Sequence, residues 1–383
     1  MAHSLRIVQL PVSHNYKPSE PIGPQDEHSN IQFNEFASAG IELTNLENNV
    51  GSYGVQLNIG TPAQTFQLLL DTGSSDLWIR SSETGDNPSY NSQISSSYQS
   101  NDTEFEINYV GSSTSGLWAT ENVDIAGAML VDQQFGLANN SNSGEGILGI
   151  GLMSLESNPN KYPNVPQTLV DQGFIAQNCY SLWLNNLSDS TGTILFGGVD
   201  SEKFTGTLYT VPIVGDTYSS VLFNEITLDG ETISSESYTG LLDSGTTFVY
   251  LEDGLVAALA EAYNATYDSG SATYFASELP TEQLTIYFSG APIDILPSEV
   301  FIDGNTFFSN PPGNYMMTIQ PYSSVGNMTI LGDFFLRSAY VVYDFLNLEI
   351  SLAQASYDAD SSNIQEIDGT VPGATAAPLY VKQ

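Results

Sequence analysis

Two short stretches carry residues arranged for acid–base chemistry: DTGSSDLW at residues 71–78 and DSGTTFVY at residues 243–250. Each follows leucines (Leu68, Leu69 and Leu70; Leu241 and Leu242) and sets an Asp before a small hydroxyl residue, a Gly and further hydroxyls. The pattern predicts a carboxylate at the tip of a tight turn between buried strands, rigid and partly desolvated. One such turn lies in each half of the chain, so the two can bring Asp71 and Asp243 face to face. Two like charges that close cannot both ionise, and the pair shares a proton. Such a pair activates water: one carboxylate takes a proton from it while the other gives one to a carbonyl oxygen.

Composition removes most other chemistry. The chain has 383 residues, and all three histidines, His3, His14 and His28, fall within the first 28. A Ser-His-Asp triad, a Cys-His pair and a His-ligated zinc are therefore excluded from the body, and no metal or cofactor is expected. Between residues 29 and 381 the only Lys or Arg are Arg80, Lys161, Lys203 and Arg337. Four scattered cations build no phosphate clamp, and a formal net charge of -37 at pH 7 repels nucleic acid. That charge opposes compaction at neutral pH but falls by roughly half near pH ~4, so an acidic working environment, or alternatively a halophile's surface, is implied. The single cysteine, Cys179, sits in the strand-like run AQNCYSLWL and reads as a buried, inert thiol. No apolar run is long enough to span a membrane, and no signal peptide opens the sequence.

The elements that must position the two turns are strands. Short runs rich in Val, Ile, Thr, Tyr and Phe recur, as in SYGVQLNIG, FEINYVG and AYVVYDFLNLEISLA, separated by Gly, Asn, Asp and Ser. Helix signals are few, the best being VPQTLVDQG, with Gly173 as its stop, and EDGLVAALAEAYNATY. An internal repeat supports two lobes: EGILGIG places Ile147, Leu148 and Gly149 76 to 78 residues beyond Asp71, and TILGDF places Ile330, Leu331 and Gly332 87 to 89 beyond Asp243. An apolar pair followed by Gly suits a buried strand passing close to another backbone.

The paired DTG and DSG turns, the ILG repeats and the FGGVD stretch resemble the pepsin-type aspartic endopeptidases, most closely fungal secreted and yapsin-like members, from about Ala39 to Tyr357. The resemblance implies an all-β, two-lobed pepsin-like double-β-barrel with the substrate cleft between the lobes. It divides the chain into a prosegment-like N-terminal extension (1–38), an N-terminal lobe (39–204), a C-terminal lobe (205–357) and a flexible tail (358–383). It implies Asp71 and Asp243 as the catalytic pair, Ser74 and Thr246 as hydroxyls bonded to their outer oxygens, and Gly73 and Gly245 as backbone donors facing the carboxylates. The hairpin FEINYVGSSTSGLW matches the family's flap, with Tyr109 as its tyrosine and Trp78 as the indole that engages the tyrosine hydroxyl. Val110 follows where the family has Gly, so Gly111 stands one place late. Ile147 is implied as a wall of the pocket before the scissile bond.

These expectations amount to an acid-active, secreted endopeptidase, possible at the cell surface in a longer precursor, acting as a monomer on protein and peptide substrates and blocked by pepstatin-type inhibitors. An apolar cleft is the default, and Asp76 and Glu121 leave recognition of basic residues open. Five of the ten Arg, Lys and His residues (His3, Arg6, His14, Lys17, His28) crowd the first 28 positions, and Lys17 is the candidate contact of a prosegment with the carboxylates. An ordinary N-terminal extension accounts for the same segment. A two-carboxylate glycoside hydrolase explains the paired acids but not the repeated turns. A peptide-binding pseudopeptidase is opposed by the retention of Asp71, Gly73, Asp243 and Gly245.

Overall fold

The computed structural model describes residues 6–14, 52–82, 89–109, 112–141, 146–187 and 191–381. Lys17, Val110 and Gly111 lie outside the described residues. The architecture is all-β, as the sequence predicts. A 14-stranded sheet runs through the molecule, joined by smaller sheets of two to five strands on the side of the second half.

In the first half, β1 (Val8–His14), β2 (Tyr53–Ile59), β3 (Gln64–Asp71), β4 (Leu77–Arg80), β5 (Gln99–Tyr109), β6 (Ser112–Ile125), β7 (Ala128–Ser141) and β8 (Gly146–Gly149) follow in chain order. β3 delivers Asp71 at its last position and lies parallel to β8, with Leu70 opposite Leu148 and Asp71 opposite Gly149. β4 leaves the turn antiparallel to β8 and parallel to β7. The second half repeats this wiring. The strand Tyr238–Leu242, which leads into Asp243, lies parallel to Ile330–Leu331, and Val249–Leu251 leaves the turn antiparallel to Ile330–Leu331 and parallel to Ile319–Pro321.

The repeated glycines have the role their setting suggests. A Cβ on Gly149 would stand 2.6 Å from the Asp76 backbone N, and one on Gly332 would press into the carbonyl oxygens of Thr246 and Phe248. Each ILG strand thus passes against the backbone of its own acidic turn, a separation only Gly permits.

Both expected helices form. Helix α1 (Val165–Asp171) is capped by the Asn164 side chain on the Gln167 N–H, and Gly173 (φ +79°) follows its end in the left-handed region. Helix α2 (Asp253–Ala262) is capped by Glu252 and buries Leu255, Val256, Leu259 and Ala260 against the second half. Cys179 is fully buried and burial pushes its thiol pKa up, which leaves it unreactive as expected.

Both ends of the chain depart from a picture of loose extensions. β1 is paired on two sides, with Thr191–Phe196 and with β2, and buries Val8, Leu10 and Val12. The stretch read as a flexible tail is seated on the body: Ile364–Glu366 pairs with Gly198–Asp200, and Ala374–Ala376 lies parallel to Phe204–Pro212. Its composition is small and polar, but ladder hydrogen bonds do not need apolar side chains, and a few well-placed ones (Ile367 and Ala377, both buried) anchor it. Arg6 ties the two ends together through Glu366 at 2.9 Å and Asp368 at 3.2 Å.

The second half of the chain encloses a fully buried ion pair. The Arg337 Nε donates to Glu299 Oε2 at 2.7 Å, and its guanidinium lies 4.4 Å from the centre of the Phe334 ring. Both side chains are essentially inaccessible. Removing one member strands a buried charge, so Arg337→Ala should cost about 3–5 kcal/mol of unfolding free energy in denaturant titration near pH 7, and less in acid, where Glu299 can take up a proton. Replacing both members with apolar residues of similar volume should recover most of that loss.

Candidate active site

The two acidic turns meet at the centre of the molecule and are locked to one another. The Thr72 N–H donates to Ser244 Oγ at 3.2 Å and the Ser244 N–H to Thr72 Oγ1 at 2.9 Å. Each hydroxyl then crosses to the other half: Thr72 Oγ1 donates to the Leu242 carbonyl at 2.9 Å, and Ser244 Oγ to the Leu70 carbonyl at 2.7 Å. All four bonds are buried. Sequence reasoning passed over Thr72 and Ser244. The signal was present in the hydroxyl residue immediately after each Asp, but its partner lies more than 170 positions away in the other turn.

Within this lattice Asp71 and Asp243 are 2% and 6% exposed, and each turn packs against the other's carboxyl, Gly73 against Asp243 and Gly245 against Asp71. Asp71 Oδ1 accepts the Gly73 N–H at 2.8 Å and the Ser74 N–H at 3.2 Å, while the Ser74 hydroxyl donates to Oδ2. On the other side Asp243 Oδ1 accepts the Gly245 N–H at 2.8 Å, and the Thr246 hydroxyl donates to Oδ2 at 2.7 Å. The supporting set expected from the turns is therefore assembled: Gly73, Ser74, Gly245 and Thr246 all bond the two carboxyls. Burial raises both carboxyl pKa values. The charge of Asp243 raises Asp71 further, so the two carboxyls titrate as a pair that holds one proton between them.

The flap hairpin is formed by β5 and β6, with Tyr109 opposite Ser112 at its end. The Trp78 indole N–H donates to the Tyr109 hydroxyl at 2.9 Å. Ile147 is buried in the apolar cluster of Trp78, Phe105, Ile107, Trp118 and Tyr162 against which Tyr109 packs.

Asp76 and Glu121 do not offer charge to a basic substrate residue. Asp76 is fully buried, its oxygens taken by the Tyr162 hydroxyl at 2.7 Å and the Ser157 N–H at 2.7 Å. Glu121, also inaccessible, accepts the hydroxyls of Tyr90 and Ser95. Both positions read as open in sequence because nothing local shows which face of the chain a side chain takes.

The eukaryotic aspartyl protease family matches residues 52–355 of this chain. A probable aspartic-type endopeptidase of Aspergillus oryzae is 39% identical over 369 residues, covering 86% of this chain and 74% of the relative. Secreted aspartic protease 8 of Candida albicans is 37% identical over 340 residues, covering 84% and 80%. Among solved structures, the aspartic proteinase from Irpex lacteus superposes with a TM-score of 0.71 at 25% identity, over 82% of this chain and 96% of that one. The chain belongs to the eukaryotic aspartyl protease family. Its fold is the two-lobed pepsin-like one, and its activity is that of an aspartic endopeptidase.

The two glycines of the turns give a direct test of the geometry. A Cβ on Gly73 would stand 2.5 Å from the Asp243 Cγ, and one on Gly245 2.5 Å from the Asp71 Oδ1. Gly73→Ala or Gly245→Ala should therefore separate the carboxyls and lower kcat/KM by at least ~10²-fold, the scale of lost general acid–base work. Circular dichroism of each variant should stay that of the wild type.

Proposed function

We propose that Asp71 and Asp243 are the catalytic pair of this endopeptidase, and that it works at acid pH on extended peptide segments bound between the lobes. The observation that carries this reading is the meeting of two buried carboxyls, each held by a Gly N–H and a hydroxyl of its own turn. Water placed between them loses a proton to the ionised carboxylate as its oxygen attacks the peptide carbonyl. The protonated carboxyl gives its proton to the carbonyl oxygen, producing a neutral gem-diol. Collapse of that diol breaks the C–N bond, with a proton passing to the leaving amine and the shared proton restored to the pair. Tyr109, tied to Trp78, covers the reacting centre and excludes bulk water, which strengthens the remaining hydrogen bonds.

Several companion assignments rest on this reading. Ile147 lines the pocket before the scissile bond, and pepstatin-type inhibitors compete with substrate. The enzyme acts as a monomer, with its two lobes meeting near residues 204–205. It is secreted or held at the cell surface, a location suggested by the secreted relative from Candida albicans and by a yapsin-3 relative from Saccharomyces cerevisiae that is 36% identical. Among the described residues no helix is long and apolar enough to cross a membrane.

Asp71→Asn and Asp243→Asn should each fold normally and lower turnover of an unfolded protein substrate at acid pH by at least ~10²-fold. Retention of more than about a hundredth of wild-type turnover in either variant would remove the assignment. The pH profile should be bell-shaped. Activity is lost on the alkaline side as the raised carboxyl gives up the shared proton, and on the acid side as its partner gains one. Both limbs belong to the pair.

Residues 1–38 are read as a prosegment whose first strand, β1, is built into the sheet, and Lys17, outside the described residues, is the candidate contact with the carboxylates. Incubating the full chain near pH 4 should produce cleavage between roughly residues 25 and 45 with a parallel rise in activity, as in acid-released segments generally. N-terminal sequencing checks this, and an uncut chain already at full activity would leave only an ordinary extension.

A further inference from the structure

A second pair of buried carboxyl groups lies behind the first. Glu156, 3% exposed, follows the short helical turn Met153–Leu155 and is not part of the dyad. Its Oε2 accepts the Tyr162 N–H at 2.9 Å, whereas its buried Oε1 meets no donor among the described residues. Tyr162 uses its other end on Asp76, donating its hydroxyl to Oδ1 at 2.7 Å, and Ser157 closes the same carboxylate from its backbone at 2.7 Å. Asp76 belongs to the catalytic turn itself, and its carbonyl accepts the Gly149 N–H at 3.1 Å, joining the turn to β8. The Tyr162 ring meets Trp118 edge-on at 5.5 Å, and Trp118 meets Phe105 at 4.7 Å, on the two strands of the flap hairpin. The loop from Met153 to Tyr162 is thus braced between the catalytic turn and the flap.

We propose that Glu156 is a positioning residue for the reaction: with its carboxyl protonated it seats this loop, and through Tyr162 it holds Asp76 and the Trp118 wall of the flap in place, whereas its ionisation releases them. The proposal rests on the dyad reading given above.

The charged and titratable groups facing Glu156 are few. From the catalytic turn comes Asp76, whose negative charge opposes ionisation. From its own loop come Lys161, whose ammonium binds the Glu156 carbonyl oxygen, and Tyr162. Tyr162 in turn faces Tyr109 and, beyond it, Asp71. Burial is the largest influence on Glu156 and Asp76 adds to it, while the Tyr162 N–H and Lys161 pull the other way; the carboxyl pKa is pushed up to about 7. The folded loop therefore binds a proton that the released loop gives up. Its stabilisation is complete at acid pH, falls as pH rises above the ordinary Glu value near ~4.3, and is gone once pH has passed the folded value. A carboxylate formed at that point has one oxygen with no donor and a second carboxylate close by, which favours opening of the loop to water.

The test uses the full chain and Glu156→Gln, whose carboxamide keeps the Tyr162 contact and cannot ionise. At acid pH the variant should match the wild type in kcat and KM. Held at about pH 7.5 and assayed after return to acid, it should lose activity at least ~10-fold more slowly than the wild type, one pH unit of linkage being a factor of ten. A wild-type rate of loss in the variant would overturn the proposal. Hydrogen–deuterium exchange over residues 153–163 of the wild type gives a reading independent of turnover and of whether the variant folds. After correction for the intrinsic rate, protection should fall at least ~10-fold between about pH 5 and pH 7.5. Unchanged protection would equally overturn the proposal. Failure of the dyad assignment would appear in the Asp71 and Asp243 variants and leave the exchange result untouched.

Discussion

Two buried carboxyl groups brought face to face hold one proton between them only while their separation is maintained, and much of the surrounding structure maintains it. Mutual repulsion and the pull of solvent would part Asp71 and Asp243 if each stood on a free loop. Each is instead the last residue of a buried strand or the first residue after one, bonded by a Gly N–H and a hydroxyl in its own turn. The turns are then fastened by the reciprocal bonds of Thr72 and Ser244. In a low-dielectric interior these four bonds are strong, and any break leaves a buried polar group without a partner. The pair is therefore rigid in the one coordinate that sets its proton affinity.

The duplicated wiring follows from the same requirement. Each Asp needs a strand delivering it, a strand leaving, and a third slotted between them, and both halves use an ILG strand for the third. The glycines of those strands sit where any side chain would collide with the turn backbone. Close packing here converts a sequence repeat into a geometric one, because the tolerance for error is smaller than a methyl group.

Burial, rather than the large net charge, decides which carboxyls matter for pH. Most acidic side chains lie on the surface and contribute solubility and self-repulsion. The raised ones, Asp71, Asp76, Glu156, Asp243 and Glu299 among them, are enclosed, and burial is the leading cause in each. The folded chain thus binds more protons than the unfolded one above the ordinary carboxylate range, which favours the native state in acid. Composition pointed towards acid through the whole-molecule charge, and the interior supplies a separate reason of the same sign.

What was legible in the sequence was what is local. An Asp, the Gly two residues on and the hydroxyl three residues on share one turn, so their contacts follow from spacing, and the alternation of β5 and the ends of both helices follow from equally short-range rules. The sequence by itself also determined the all-β class, the duplicated turns and the exclusion of histidine-based chemistry. Only the tertiary structure decided which residues from distant segments meet. It paired Thr72 with Ser244, turned Asp76 and Glu121 inward away from substrate, set the tail against strand edges despite its polar composition, and placed Glu156 and Tyr162 behind the catalytic turn. Those outcomes depend on strand register and on which face of a segment is buried, and both are fixed by packing between parts of the chain more than a hundred residues apart.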